Sequence, residues 1–123
     1  MSLTLFKNVH VLDLRAGRRL EGHEVLIEGA LIREVSDRPI TSPSARVIDG
    51  GGRTLMPGLI DCHVHVTFSQ TNLGLLAGTP STTLALRALP ILRGMLRRGF
   101  TTVRDAGGAD WALKTALEDG VDG

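Results

Sequence analysis

The length, composition and charge of the chain exclude several classes of protein. It has 123 residues, of which 42% are hydrophobic and 22% charged, with a formal net charge of +1, which is ordinary composition for one small domain or for parts of two. The near-neutral charge, the absence of a basic block and an aromatic content of only 3% argue against nucleic acid or an anionic membrane as a partner.

The N-terminus and the cysteine content bear on the cellular compartment. The first residues lack the basic region and apolar run of a signal peptide, and no apolar stretch approaches the roughly 20 residues of a membrane helix. The single cysteine, Cys62, cannot form an internal disulfide and suits a reducing compartment. We therefore expect a cytoplasmic protein.

Residues 1–57 are predicted to form β-structure. Apolar and polar residues alternate over 3–11 and again over 25–27, before a turn at Glu28-Gly29 and a return strand over 31–35. After a loop at 38–44, Val47 and Ile48 lead into a glycine run. This pattern indicates a small set of short hairpins, too thin to hold a full core alone.

Residues 58–123 follow a different pattern, strand, helix, strand, helix. A largely apolar run at 59–66 is typical of a buried parallel strand, and 100–105 is a second β-rich run. Between them, a loop at 67–80 precedes a helix with a broad apolar face over 84–96. This order predicts parallel βαβ units.

The ends of the helices are also predicted from local signals. Ser81 or Thr82 can cap the first helix, Gly99 ends it, and Pro90 should kink it or mark a late start. A second helix begins at Trp111, which we interpret as a packing residue, and ends at Gly120.

Two histidines at the end of the first βα strand are candidate metal ligands. Because residues i and i+2 of a strand point to one face, His63 and His65 project side by side. Asp61 shares that face, either as a hydrogen-bond acceptor for a ligand histidine or as an interior residue that is hydrogen-bonded elsewhere. Cys62 points to the opposite face of the strand, away from the metal. Spacing alone also fits two histidines that are merely hydrogen-bonded, but the C-terminal ends of parallel strands are where sites form.

The residues around this pair resemble a known family. Pro57-Gly58-Leu59-Ile60-Asp61-Cys62-His63-Val64-His65 resembles the signature of the amidohydrolase superfamily, and the strand-rich segment before it is similar to that family's N-terminal β-sandwich piece. The run Gly99 to Gly108, containing Thr-Thr-Val-Arg-Asp, resembles the second barrel strand of the branch that holds imidazolonepropionase-like and Xaa-Pro dipeptidase-like enzymes.

The resemblance implies an α/β protein in which 1–57 belongs to a small β-sandwich and 58–123 forms the first two βα units of a (β/α)8 barrel. It also implies one or two divalent metals, most commonly zinc, with His63 and His65 as ligands of the more buried ion. Water activated by the metal would hydrolyse an amide-type C–N bond in a small-molecule or dipeptide-like substrate. A homo-oligomeric complete enzyme is compatible with this scheme.

The remaining catalytic groups of that scheme have no counterpart here. Such a barrel needs about 250 residues, and about 60 follow His65. The bridging lysine or glutamate, two later histidines and the catalytic aspartate should therefore lie outside this chain, which we expect to be an inactive N-terminal fragment of the enzyme. His10 and His23 are interpreted as surface or turn histidines. The alternative is a small non-catalytic binding module that retains an amidohydrolase-like start.

Several residues near the second strand have open roles. One of Arg104 and Asp105 should reach the barrel mouth, where it could touch substrate or order a loop; an ion pair that fixes the strand end is an equal alternative. Gly107-Gly108 before a helix is similar to an anion-binding turn, although no full phosphate-loop pattern is present. In the loop after the first strand, Ser69 and Gln70 are the only evident chemical groups.

Overall fold

The computed structural model of the chain describes residues 2–121. The chain forms two compact units, one reaching to Pro57 and the other beginning at Gly58. None of the helices in the described part of the chain combines the length and the apolar character needed to cross a membrane.

The first unit is built on a four-stranded sheet in the order β3-β2-β1-β4. The four strands are β1 (Leu3–Asp13), β2 (Arg18–Glu28), β3 (Leu31–Ser36) and β4 (Arg46–Leu55). β1 pairs antiparallel with β2, and β2 with β3 through the predicted turn, where Glu28 pairs with Leu31. The prediction of hairpins is therefore confirmed for these two connections.

The prediction is wrong for β4, which pairs in parallel with β1. The physical reason lies in the connection from β3, because Ile40 is buried against Leu5 and Leu26 and its backbone N–H donates to Glu24 at 2.7 Å. This anchored segment brings the chain back to the free edge of β1 in the parallel direction. A parallel pair needs such a crossover, whereas a tight turn gives an antiparallel pair.

The glycine run expected to follow a strand lies inside β4. It sits opposite an irregularity in β1, where the register shifts between Lys7 and Val9 and Asn8 adopts a positive φ of 53°. Asp49 ties the two strands together by accepting from the backbone N–H of Gly51 at 2.8 Å and from the side-chain amide of Asn8 at 3.2 Å. These two hydrogen bonds lower the pKa of the Asp49 carboxyl.

The second unit alternates strands and helices as predicted. Its elements are β5 (Leu59–Val64), α1 (Leu73–Ala77), α2 (Ser81–Arg97), β6 (Phe100–Asp105) and α3 (Trp111–Glu118). β5 and β6 pair in parallel, which confirms the βαβ prediction. The core is formed by Val66, Ala88 and Met95, with Val64 and Val103 among the residues packed against them.

Three details of this unit differ from the sequence predictions, and one alternative is excluded. α2 begins at Ser81 with Pro80 in the N-cap position and no side-chain cap, so neither Ser81 nor Thr82 caps it. Of the two alternatives for Pro90, the late start is excluded, because Pro90 lies inside this helix. The loop at 67–80 contains α1, capped by the Asn72 side chain. Trp111 is 79% exposed, because α3 instead presents Leu113 to the core.

Gly58 is required where β5 approaches β6. A Cβ atom added to it would lie 2.0 Å from Oγ1 and 2.7 Å from Cβ of Thr101. We expect Gly58→Ala to destabilise the protein by about 1–3 kcal/mol through overpacking, measured by urea denaturation. Because the clash includes the Thr101 Cβ atom, Thr101→Gly should restore most of the loss in the double variant. A Gly58→Ala protein as stable as wild type would contradict this packing.

Candidate metal centre

The two candidate ligands lie together at the C-terminal end of β5. His63 is in the strand, and His65 is the first residue beyond its end at Val64. Both residues are exposed, and their Nε2 atoms lie 3.3 Å apart. The rings meet edge to face, with centroids 5.2 Å apart and an interplanar angle of 73°. The two Nε2 atoms therefore face each other within hydrogen-bond distance, at a point that solvent can reach.

The separation of these nitrogens fits a shared metal ion. Two corners of a tetrahedron with zinc–nitrogen bonds of about 2.0–2.1 Å are about 3.3–3.4 Å apart, which matches the observed 3.3 Å. Within residues 2–121, no group of three or more His, Cys, Asp or Glu side chains is placed to hold a metal. His63 and His65 would thus supply two of the four positions of a tetrahedral ligand set.

The orientation of His65 is fixed by contacts on two sides. Its Nδ1 lies 2.7 Å from the backbone carbonyl oxygen of Gly107. Since a carbonyl can only accept, Nδ1 carries the proton and Nε2 is left as the lone-pair nitrogen that a metal requires. The ring is stacked on Phe68, with centroids 4.7 Å apart and planes 16° from parallel.

Gly108 allows the loops after β5 and β6 to approach this closely. Its φ of +111° lies in a region that favours glycine. A Cβ atom there would lie 2.4 Å from Oγ1 of Thr67 and 2.6 Å from Cε1 of Phe68. Any larger residue would push Phe68 away from its stacked position on His65.

Arg104 and Asp105, whose roles the sequence left open, each bond to backbone groups. The Nε of Arg104 donates to the carbonyl oxygen of Cys62 at 2.7 Å, which ties β6 to β5. The Asp105 carboxylate accepts from the backbone N–H groups of Val66 at 2.9 Å and Gly107 at 2.8 Å. Of the roles considered, the hydrogen bonds of Asp105 match the ordering of a loop, and no salt bridge of the described residues includes it.

In the glycine turn after β6, backbone N–H groups donate to a carboxylate of the protein itself. The Gly107 N–H donates to the carboxylate of Asp105, and the Ala109 N–H donates to the same carboxylate at 3.4 Å. Because these donors are engaged, they offer nothing to a phosphate group.

Asp61 contacts the backbone of a candidate ligand rather than its ring. Its Oδ1 accepts from the backbone N–H of His63 at 3.0 Å, so it stiffens the strand end. Cys62 is an exposed free thiol.

His10 and His23, in the first unit, have local partners. The Nδ1 of His10 accepts from the Gly22 N–H at 3.4 Å, and the Nδ1 of His23 lies 2.8 Å from the carbonyl oxygen of Glu21. Both are half-buried strand residues rather than turn residues.

The loop after β5 contains two hydroxyl groups whose burial the sequence did not indicate. The side-chain oxygens of Thr67 and Ser69 are buried and have no hydrogen-bond partner within residues 2–121. A buried hydroxyl that is left unpaired is costly, so these groups give the loop beside His65 unused hydrogen-bonding capacity. Gln70 lies in the same loop and is half-buried.

Solved structures with this architecture are similar over nearly the whole chain. A crystal structure of a prolidase complexed with N-methylphosphonate-L-proline is 54% identical, with a TM-score of 0.90, and the match covers 98% of this chain and 29% of that one. A Xaa-Pro dipeptidase with bound methionine in its active site is 25% identical, with a TM-score of 0.81 over 98% of this chain and 31% of that one.

Curated proteins are similar over a shorter range. Imidazolonepropionase from Pseudomonas putida (strain GB-1) is 33% identical over 75 residues, which are 58% of this chain and 19% of that enzyme. The chain thus spans about a fifth of the length of this relative and about 30% of the solved structures. The sequence profile described as the amidohydrolase family matches residues 54–122, more than half of the chain and all of the candidate metal centre. The chain therefore belongs to the amidohydrolase family.

Proposed function

We propose that this chain supplies the first part of a metal-dependent amidohydrolase, in which His63 and His65 bind an active-site divalent metal ion. The single observation that carries the proposal is the 3.3 Å separation of the two Nε2 atoms, which suits two ligands of one tetrahedral ion. Membership of the amidohydrolase family, whose members generally use divalent metals, supports it.

Within this site, the residues of the chain bind and orient rather than transfer protons. His63 and His65 hold the ion by Nε2, and the Gly107 carbonyl keeps the proton of His65 on Nδ1. The ion, when bound, supplies Lewis-acid activation of water and of a substrate carbonyl. Phe68, stacked on His65, shields one face of the imidazole from water.

We further propose that 1–57 belongs to a small β-sandwich and 58–123 to a (β/α)8 barrel completed by further strands. Exposed apolar side chains in the second unit support this, since Ile60 of β5 is 64% exposed and Leu96 of α2 is 62% exposed. Further strands and helices would bury such surface. The other metal ligands and the catalytic base would then lie on those later elements.

The proposed substrates are small molecules with an amide-type C–N bond, either dipeptide-like or cyclic. The 54% identity to a prolidase structure makes Xaa-Pro dipeptides the first class to test, and the similarity to an imidazolonepropionase makes cyclic amides the second. No residue of the described chain is assigned to substrate binding.

The test combines metal analysis with a substrate panel on the complete protein that contains this chain. We expect a stoichiometric divalent metal, hydrolysis of at least one Xaa-Pro dipeptide or lactam, and loss of activity by more than about 100-fold after chelation, restored by zinc. Hydrolysis that persists at full rate in metal-free protein would contradict the proposal. So would a complete protein that binds a panel member without hydrolysing it, which is the outcome for a binding module.

A further inference from the structure

The carboxylate of Asp105 joins the two loops that surround His65. Asp105 is the last residue of β6 and is half-buried. Its Oδ2 accepts from the backbone N–H of Val66 at 2.9 Å, across a sequence separation of 39 residues. Its Oδ1 accepts from the N–H of Gly107 at 2.8 Å and of Ala109 at 3.4 Å. One side chain thus holds the backbone after β5 and the backbone after β6 together.

Two of these backbone partners are connected directly to His65. Val66 is the next residue along the chain, so its N–H belongs to the peptide unit that follows the histidine. The N–H of Gly107 donates to Asp105, and its carbonyl oxygen accepts from Nδ1 of His65 at 2.7 Å. The carboxylate therefore fixes both the main chain of His65 and the acceptor that sets its tautomer.

The other functions open to Asp105 are weaker in this arrangement. No salt bridge of the described residues includes it, and Arg104 donates from Nε to the Cys62 carbonyl oxygen. Both carboxylate oxygens accept hydrogen bonds from backbone N–H groups, so the described contacts of this side chain are to the backbone. A carboxylate can accept from several N–H groups, whereas a carboxamide presents only one acceptor oxygen.

We propose that Asp105 is a positioning residue for the metal ligand His65, acting through the backbone of Val66 and Gly107. This inference rests on the proposed function, because it requires His65 to bind metal. Loss of a group that orients a ligand histidine typically lowers metal affinity by about 10–100-fold. Asp105 would thus affect a metal that it does not touch.

The test compares Asp105→Ala and Asp105→Asn with Asp49→Ala in the complete protein. Asp49 is a matched control, because it carries the same charge and its Oδ1 also accepts from the N–H two residues later, at 2.8 Å, but it lies in the other unit. Zinc affinity is measured by chelator competition below the unfolding temperature of every variant. The tautomer of His65 is measured in metal-free protein by NMR with ¹⁵N-labelled histidine, assigned with His65→Ala.

We expect Asp105→Ala to lower zinc affinity by about 10–100-fold and to convert His65 from the Nδ1–H tautomer to a mixture. Asp105→Asn, which keeps one acceptor and the side-chain volume, should lie between Asp105→Ala and wild type, and it carries the test if the alanine variant does not fold. Asp49→Ala should alter stability while leaving both zinc affinity and the tautomer unchanged.

Two different results separate the failure of this inference from the failure of the proposed function. If His65→Ala abolishes zinc binding while the Asp105 variants bind zinc as wild type does, only the positioning role is wrong. If His65→Ala binds zinc with unchanged affinity, the metal assignment itself is wrong. A loss of affinity in Asp49→Ala equal to that in Asp105→Ala would also overturn the inference, because it would reflect general destabilisation.

Discussion

Replacing His63 or His65 by alanine is expected to remove the metal ion and with it nearly all hydrolysis by the complete protein. In the proposed centre each side chain supplies one corner of the same ligand set, because the two Nε2 atoms are 3.3 Å apart, and neither can compensate for the other. A metal contributes several kcal/mol to transition-state stabilisation, and each 1.36 kcal/mol is tenfold in rate. We therefore expect kcat/KM to fall on the order of 10³-fold.

The matched control for these variants is Cys62→Ala. Cys62 immediately precedes His63 on β5, and its hydrogen bond from Arg104 uses the backbone carbonyl oxygen, which the substitution leaves in place. We expect this variant to keep metal content and rate close to those of wild type. If Cys62→Ala loses as much metal as the histidine variants, strand damage rather than ligand loss explains all three.

Leu5→Ala is expected to be the most destabilising single truncation in the first unit, by about 2–5 kcal/mol. Leu5 is only 1% exposed and packs against Leu26 and Ile40. Truncation would leave a cavity below the segment that brings the chain from β3 to β4. The parallel pairing of β4 with β1 should weaken together with the packing, because Leu5 itself pairs with Val47.

Leu31→Ala is the matched control, since Leu31 lies on β3 of the same sheet and is 74% exposed. Its substitution should change the free energy of unfolding by no more than about 0.5 kcal/mol. The measurement is urea denaturation followed by circular dichroism, because the only tryptophan in the sequence, Trp111, belongs to the other unit. Equal losses in the two variants would contradict the observed core.

Local patterns were sufficient to predict much of the fold. Alternation of apolar residues and the Glu28-Gly29 turn predicted the β2–β3 hairpin, and the β-rich runs at 59–66 and 100–105 predicted the parallel pair β5 and β6. The parallel pairing of β4 was not predictable in this way. It depends on the burial of Ile40 against Leu5 and Leu26, a tertiary contact with no local sequence signal.

The candidate metal centre was predictable only in part. The spacing of His63 and His65 placed two nitrogens on one face, because side chains alternate along a strand. The groups that orient His65 come from residues about 40 positions later, Asp105 and Gly107. They reach it only because β5 and β6 pair in parallel, with Val64 beside Asp105. The sequence left the role of Asp105 open, and this register brings its carboxylate to the backbone N–H of Val66.

The most direct measurement of the central claim is an anomalous difference map at the zinc absorption edge, from crystals of the zinc-loaded complete protein. We expect one strong peak within about 2.0–2.1 Å of the Nε2 atoms of both His63 and His65. A peak bonded to other residues only, with these two nitrogens free of metal in zinc-saturated crystals, would contradict it.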